Sequence, residues 1–446
     1  MSKETKLLKL NRSDFLFLLT NDILPLNQAV TLRFKITHSV EEIREAARYM
    51  MAMYPRLRSI IVPTLFSYRM MILDNDDSRV DVLFNEAFQV KRNMVFGTDD
   101  FFQYRHGLVN GPCLLDNRLG IKFHYLPDDP SPALIIVLNH VVGDGMSHAF
   151  IIDSLMAYLN GKRPDLLPLD DPSMKPALFE KNYFKIPLQI LKSYRILRKE
   201  SRKNKNDKII EVSDKHTDYF GPVNSYAQPF SLGIKPILSK AKELGCSVPI
   251  FTTTALALSI MRNRGEDKGD TVGILSSFDM RPYFGDNRPV IGNYLRATML
   301  RAHRKHIDNP KEMMKDLQEQ MDTFRKHLQQ KEILFPWMIE ELQKFVGRKN
   351  FARIIKNIKS KEIFRMTCHH STIGSIDFLN AHGDKARLCG YFPATAHHAL
   401  FFGLTSLDGV IQSFFTYPEA EYTLDDIKKL YKNLEEEFLR LLELRA

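Results

Sequence analysis

The sequence predicts a mixed α/β protein built from two lobes. With 446 residues, the chain is too long for one ordinary hydrophobic core, so two domains or two large lobes are expected. Strand-like and helix-like patterns alternate in both halves, and no short repeat is visible. A hydrophobic content of 44% supplies enough apolar surface for such cores.

The N-terminal half begins with a strand followed by a helix. Residues 30–37, VTLRFKIT, alternate between apolar and polar side chains, as a half-buried strand does. Ser39 follows, in a position to cap a helix that runs through VEEIREAARYMMAMY and ends before Pro55. This half is therefore expected to contain both strands and helices.

The stretch 133–159, ALIIVLNHVVGDGMSHAFIIDSLMAYL, holds the main candidate for chemistry. Residues 133–138 form a continuous apolar run, which is typical of a strand covered on both faces. A polar, glycine-bearing turn follows, and we expect Ser147 to cap the next helix and Asn160-Gly161 to end it. His140 would then lie at a strand end beside a helix N-terminus, where sheet proteins commonly place reactive groups.

Repeated prolines indicate a crossover after this helix, over residues 162–187. They are Pro164, Pro168, Pro172, Pro176 and Pro187. We therefore expect an N-terminal lobe at residues 1–175, a crossover with a basic helix at 176–215, and a C-terminal lobe at 216–446. The basic run ILKSYRILRKESRKNKNDK fits a solvated surface helix, and it also fits a helix that binds an anionic surface or an acidic partner.

The C-terminal half repeats the mixture of strands and helices. Pro249 leads into the apolar helix IFTTTALALSIMRNRG, and the strand-like TVGILSSFDM follows. Amphipathic helices are expected between Pro310 and Lys361, then a strand-rich tail. The final helix, LDDIKKLYKNLEEEFLRLLEL, opens with acidic residues, as the helix dipole prefers.

Charge and cysteine usage limit the partners and the compartment. The formal net charge of +10 favours acidic ligands such as phosphates, coenzyme A, acidic carrier proteins or anionic membranes. No zinc-finger or RNP-like pattern supports nucleic acid. Four widely separated cysteines without a CxxC pair indicate reduced thiols in a cytoplasmic protein. No apolar run approaches the roughly 20 residues of a membrane helix, so membrane contact would be peripheral.

His140 is the candidate general base, because an imidazole titrates near neutral pH and can accept a proton from an attacking hydroxyl or amine. The His-x3-Asp-Gly pattern is only moderately specific, so the residues alone leave a structural histidine open. The run Cys368-His369-His370 suggests a metal site or a second base. Three adjacent residues on an extended segment do not all point at one ion, so no metal is expected.

Five segments together resemble a known superfamily. NHVVGDG is similar to the HHxxxDG motif of nonribosomal peptide condensation domains, polyketide-associated acyltransferases, alcohol acetyltransferases, wax ester synthases and plant BAHD acyltransferases. Four other stretches resemble further segments of the superfamily and follow one another in the same order along the chain. They are MYPRLRS, GCSVPIFTTTALALSIMRNR, SSFDMRPYFGDNRPVIGNYL and STIGSIDF. Asn139 stands where the motif has its first histidine, which mildly disfavours a peptide condensation domain. DFGWG has no clear match, so a plant-type BAHD enzyme is not expected.

The resemblance implies two chloramphenicol-acetyltransferase-like lobes with mixed sheets and a central tunnel. His140 occupies the position of the motif's second histidine, which in the superfamily deprotonates or positions the acceptor nucleophile. Asp144 matches the motif aspartate, whose role is structural, and Arg281 matches the arginine that pairs with it. Gly145 is expected to keep the turn tight and the backbone close to substrate.

The same resemblance makes Asn139, Asn293 and Ser371 candidates for the tunnel lining, together with His397-His398. It implies transfer of an acyl group from acyl-coenzyme A or a phosphopantetheinyl acyl carrier protein to a small-molecule alcohol or amine, with no permanently bound cofactor. Two alternatives stay open. One is an inactive binding or regulatory protein of the same fold, and the other is a peripheral-membrane lipid acyltransferase.

Overall fold

The computed structural model describes residues 6–64, 67–167, 182–215, 220–284, 290–336, 338, 345–360 and 365–445. Pro168, Pro172 and Pro176 of the crossover lie outside the described residues, as does the expected lobe boundary at 175/176. Within the described part, the protein is mixed α/β with mixed sheets, which confirms the predicted fold class.

The strands, in chain order, are β1 (Lys6–Lys9), β2 (Asn27–Phe34), β3 (Ser59–Pro63), β4 (Tyr68–Ile72), β5 (Phe88–Val90), β6 (Ile121–Leu126), β7 (Ala133–Asn139), β8 (Val223–Gly233), β9 (Thr271–Asp279), β10 (Leu295–His303), β11 (Cys368–Ser375), β12 (Leu388–Thr395), β13 (Phe401–Leu407) and β14 (Val410–Pro418). The helices are α1 (Arg12–Asn21), α2 (Val40–Met53), α3 (Ser78–Ala87), α4 (Asp99–Asn110), α5 (Gly145–Leu159), α6 (Ile186–Lys203), α7 (Ile234–Glu243), α8 (Val248–Asn263), α9 (Pro310–Gln329), α10 (Arg348–Ser360) and α11 (Leu424–Leu442).

Two large sheets form the two lobes. The N-terminal sheet has the strand order β12-β2-β7-β6-β5, and the C-terminal sheet has the order β10-β9-β11-β13-β14-β8. Both are mixed, because β5 pairs with β6 and β11 pairs with β9 and β13 in parallel, while the other pairs are antiparallel. A small sheet, β1-β4-β3, completes the described strands.

The predicted strand–helix unit at the start of the chain is confirmed with small shifts. β2 begins at Asn27 rather than at residue 30. Ser39 caps α2 in a capping box, accepting a hydrogen bond from the Glu42 backbone N–H while the Glu42 side chain accepts one from the Ser39 N–H. The buried side of α2 packs into the same core as β2 and β7.

β7 and α5 are formed where the apolar run and the helical pattern predict them. All seven residues of β7 are buried, as expected for a strand covered on both faces. The predicted cap of α5 is wrong: Asp144 is the N-cap, and its carboxylate accepts a hydrogen bond from the Ser147 backbone N–H at 2.9 Å. Asp is as good a cap as Ser, and it lies three residues earlier. Asn160 is the C-cap, as predicted.

The C-terminal lobe is built around α8, which is enclosed by protein along most of its length. Its residues 250–261 are all buried in one core with β9, β13, β14, α9 and α11. No single helix among those described is long and apolar enough to span a membrane, although α7 and α8, bent by 98°, meet the length and composition criteria as a pair.

β12 crosses between the lobes. It belongs by sequence to the expected C-terminal lobe, but it pairs antiparallel with β2 and closes one edge of the N-terminal sheet. Tyr391 of β12 lies opposite Leu32 and is buried in the N-terminal core. The expected split of the chain at residues 176–215 therefore does not separate the two sheets. Without β12, the outer edge of β2 would expose unpaired backbone N–H and C=O groups, and a strand from far along the chain pairs with them.

We expect Tyr391→Ala to lower the free energy of unfolding by about 3–5 kcal/mol, the usual cost of truncating a buried aromatic side chain. Tyr391 is 1% exposed, and loss of its ring opens a cavity in the core of the N-terminal lobe, although Tyr391 belongs by sequence to the expected C-terminal lobe. Tyr183→Ala is the matched control, because Tyr183 is 81% exposed and surface changes stay within about 0.5 kcal/mol. Urea denaturation followed by circular dichroism measures both, and equal effects would contradict the role assigned to β12.

Candidate active site

His140 lies at the end of β7, where the strand gives way to the turn before α5. Its backbone N–H donates to the Leu26 carbonyl at 2.8 Å, which continues the pairing with β2 by one residue. Its ring stacks on Phe17 of α1, with the centroids 4.0 Å apart. The side chain is half-buried. The imidazole is thus fixed in position and still accessible.

The amide of Asn293 determines which ring nitrogen of His140 carries the proton. Asn293 Nδ2 donates to Asp14 Oδ1 at 2.8 Å and to the His140 carbonyl at 2.6 Å. Both hydrogens of the amide are therefore used, and Oδ1 faces His140 Nδ1 at 3.0 Å. Because an amide oxygen only accepts, Nδ1 must donate. The neutral ring then presents the bare lone pair of Nε2, which is the atom a general base uses.

Burial keeps the His140 ring neutral. It lowers the pKa of His140 below its usual range, and it outweighs the hydrogen bond to Asn293 and the nearby charges of Asp144 and Asp14, which raise that pKa. The neutral form, which can accept a proton, therefore predominates at neutral pH.

The N-terminal lobe holds the turn after His140 through a buried ion pair. Arg56 Nη2 donates to Asp14 Oδ2 at 2.8 Å, and both side chains are buried. The same guanidinium donates from Nε to the Val142 carbonyl at 3.2 Å. Gln28 Nε2 donates to the Gly143 carbonyl at 2.9 Å. Asp14 therefore supports the turn through Arg56 and orients the His140 ring through Asn293.

The C-terminal lobe holds the same turn through a second buried ion pair. Arg281 binds Asp144 with both terminal nitrogens, Nη2 to Oδ1 at 2.9 Å and Nη1 to Oδ2 at 3.1 Å, and the side chains are 7% and 2% exposed. The Tyr294 backbone N–H donates to Asp144 Oδ2 at 3.0 Å, and the Ser147 backbone N–H donates to Oδ1 at 2.9 Å. Burial opposes ionisation of Asp144, but the Arg281 charge and these hydrogen bonds place its pKa below the usual range.

The glycine that the tight turn requires is Gly143 rather than Gly145. A Cβ at Gly143 would lie 2.7 Å from Ser147 Cβ, which is too close for a packed interior. A Cβ at Gly145 would meet only Ile373, at an ordinary contact distance of 3.7 Å. Gly145 is instead the first residue of α5 and is half-buried. Its position leaves the helix N-terminus beside the candidate base.

Three of the candidates for the tunnel lining, Asn293, Asn139 and Ser371, have different surroundings. Asn293 contacts His140 directly, as described above. Asn139 is buried, and its Nδ2 donates to Asn21 Oδ1 at 2.9 Å and to Asn27 Oδ1 at 3.0 Å. Its amide is therefore used inside the N-terminal lobe and does not line a tunnel. Ser371 is half-buried on β11, two residues beyond His369 and so on the same face of the strand.

Two further histidines, His369 and His397, lie close to His140. His369 Nδ1 and His397 Nε2 share a hydrogen bond of 2.9 Å, and His369 Nε2 bonds Ser277 Oγ at 2.7 Å. His397 follows β12 and His140 follows β7 at the same end of the sheet, with only β2 between them, so the strand ends are about 10 Å apart.

These histidines are also kept neutral. Burial lowers the pKa of His369 to about 3 and that of His397 well below its usual range, and the neighbouring imidazole of His398 lowers both pKa values further. The neighbouring His370 points away, into the C-terminal core, where its Nδ1 is 3.1 Å from Thr253 Oγ1. Alternation along β11 therefore separates the two histidines that the sequence places side by side. No three potential metal ligands converge within the described residues.

We expect Asp144→Ala to lower the free energy of unfolding by about 3–5 kcal/mol, because the change leaves the Arg281 charge buried without its partner. Asp153→Ala on the same helix is the matched control. Asp153 bonds His382 at 2.6 Å but is partly exposed, so its loss should cost less than about 1 kcal/mol. Chemical denaturation measures both. Normal stability of the Asp144 variant with lost activity would instead assign Asp144 a direct chemical role.

Comparison with known proteins identifies the fold. No protein-family model and no curated protein matches the chain. Among solved structures, the epimerization domain from the third module of tyrocidine synthetase B is 13% identical, with a TM-score of 0.64 over 99% of this chain and 98% of that chain. The trichothecene 15-O-acetyltransferase TRI3 from Fusarium sporotrichioides is 10% identical, with a TM-score of 0.70 over 98% and 94%.

The first condensation domain of the CDA synthetase is also similar, at 10% identity and a TM-score of 0.67 over 99% of this chain and 97% of that chain. Each likeness extends over nearly the whole of both chains, so it covers both lobes and the turn between β7 and α5. The chain therefore has the same fold as these epimerization, acetyltransferase and condensation domains.

Proposed function

We propose that this protein is an acyltransferase that moves an acyl group from a thioester to a hydroxyl or amine acceptor, with His140 as the general base. The observation that carries the proposal is the orientation of the His140 ring. Asn293 accepts from Nδ1, so the lone pair of Nε2 is available on a ring held between the two lobes.

In the proposed reaction, His140 Nε2 accepts the proton of the acceptor O–H or N–H while the acceptor oxygen or nitrogen attacks the thioester carbonyl carbon. The C–S bond of the resulting tetrahedral intermediate then breaks, and the imidazolium returns the proton to the departing thiolate. An ester or amide and a free thiol are the products. The ring ends the cycle neutral, as it began.

The N-terminus of α5 supports stabilisation of the oxyanion. Its first turn begins at Gly145, and no acidic residue lies there apart from the cap, Asp144, whose charge is paired with Arg281. Backbone N–H groups at a helix start carry partial positive charge and suit a developing oxyanion. The remaining rate enhancement comes from holding the donor and the acceptor together between the lobes.

The solved structures support a thioester donor. The trichothecene 15-O-acetyltransferase is by its name an acyltransferase, and the starter condensation domain of rhizomide synthetase was solved with C8-CoA and Leu-SNAC. For this chain we propose acyl-coenzyme A or an acyl carrier protein as donor and a small alcohol or amine as acceptor, with ester formation favoured. The net charge of +10 fits a phosphate-bearing donor.

We expect His140→Ala to lower thioester consumption by about 10²–10⁴-fold, the range for loss of a general base. His382→Ala is the control, because His382 bonds Asp153 at the outer side of α5. Mass spectrometry of products after incubation with a panel of acyl thioesters and a cell extract measures activity and identifies the acceptor.

The pH dependence of kcat/KM gives a second readout. The basic, neutral form of His140 is active and its pKa is lowered, so activity should persist below pH 6.5 and fall only as the pH drops through the lowered pKa. Unchanged thioester consumption by the His140 variant would exclude the base assignment. Absence of turnover with every donor would favour a binding or regulatory protein of the same fold.

A further inference from the structure

We propose that α6, together with the turn that precedes it, docks this protein on an anionic lipid membrane. The proposal concerns a surface of the crossover and does not depend on acyl transfer, so it stands or fails independently of the proposed function. It rests on three observations of α6: which side chains its packed face buries, which side chains its outer face exposes, and how the cations along it are paired.

The packed face of α6 buries two polar side chains beside half-buried isoleucines. Gln189 and Ser193 are its buried residues, and Ile186, Ile190 and Ile196 are half-buried. Gln189 Nε2 donates to the Lys331 carbonyl at 2.5 Å, and Ser193 Oγ accepts from the Phe335 backbone N–H at 3.0 Å. A surface helix of a globular protein normally turns its apolar stripe toward the core. On α6, polar side chains take the most buried positions, while Leu188 and Leu191 remain outside the packed face.

The outer face of α6 begins with exposed apolar side chains. Tyr183 and Phe184, in the turn before the helix, are 81% and 96% exposed, and Leu188 and Leu191 are 55% and 42% exposed. Single exposed apolar residues need no explanation, but a contiguous group marks an interaction site. Two adjacent aromatic residues at the tip of a basic helix suit the boundary between lipid headgroups and acyl chains.

The same outer face continues with cations. One stripe along the helix consists of side chains spaced by three or four residues, at positions 188, 191, 195, 198 and 202. The first two positions are leucine and the last three are arginine. Glu200 is the one acidic residue of α6. The exposed cations of the helix and its preceding turn make no ion pair with any described residue; they are Lys185, Lys192, Arg195, Arg198, Lys199, Arg202 and Lys203.

The arrangement favours a lipid surface over an acidic protein. Protein interfaces surround an apolar centre with a polar rim and are depleted in lysine. On α6, the most exposed apolar side chains lie in the first turns and the arginines lie beyond them, with lysines along the whole length. Such a helix lies flat in the interface, with its aromatic and leucine side chains at the acyl boundary and its cations at the lipid phosphates.

The test is flotation of the full-length protein with vesicles of phosphatidylcholine alone and of phosphatidylcholine mixed with phosphatidylglycerol. We expect binding to the mixed vesicles only, weakened by added salt. The triple variant Arg195→Glu, Arg198→Glu and Arg202→Glu should lower the partition coefficient by about a hundredfold or more, since each cation near an anionic surface contributes about fivefold. Tyr183→Ser with Phe184→Ser should weaken binding at unchanged charge.

The matched control reverses three exposed lysines on α11, Lys428→Glu, Lys429→Glu and Lys432→Glu, which changes the net charge equally and should leave binding intact. Circular dichroism verifies that each variant is folded. Failure of the unmodified protein to float with anionic vesicles would overturn the proposal, as would equal losses in the α6 and α11 variants. Binding to a soluble acidic protein without binding to vesicles would also overturn it, in favour of a protein partner.

Discussion

A carboxylate can only accept hydrogen bonds, and the candidate active site depends on this property of Asp14. Asp14 accepts from Asn293 on one oxygen and from Arg56 on the other. The first bond turns the oxygen of the Asn293 amide toward His140, and the second ties the carboxylate to the guanidinium that holds the turn after His140. The protonation state of one ring atom is thus determined by a residue of α1 that does not touch it.

Two buried ion pairs hold the turn between β7 and α5 from opposite lobes. Asp14 with Arg56 anchors it in the N-terminal lobe, and Asp144 with Arg281 anchors it to the C-terminal lobe. Buried pairs are weak sources of stability, yet removing one partner is costly. Here the two ion pairs act by fixing a position. The candidate base lies on a turn whose backbone carbonyls and N-cap residue all form hydrogen bonds to side chains that the fold holds in place.

The sequence was sufficient for the local parts of the site but not for those assembled over long distances. The apolar run and the glycine-bearing turn predicted His140 at a strand end, and a family resemblance supplied Arg281 as the partner of Asp144. Sequence reasoning did not identify Asp14, Arg56, Ser277 or the pairing of β12 with β2, because their partners lie far along the chain and strand pairing leaves no local pattern. It also placed the cap of α5 at Ser147, since Asp and Ser cap equally well.

The most direct test is the protonation state of His140, measured by two-bond ¹H–¹⁵N correlation spectra of protein labelled in its histidine rings, with His140→Gln for assignment. If Asp14 and Asn293 orient the ring as described, Nδ1 carries the proton at neutral pH and Nε2 carries none. In the Asn293→Ala variant, the protein should stay folded and the proton should be found on either ring nitrogen of His140. A proton on Nε2, or on both nitrogens, would contradict the assignment of His140 as the base.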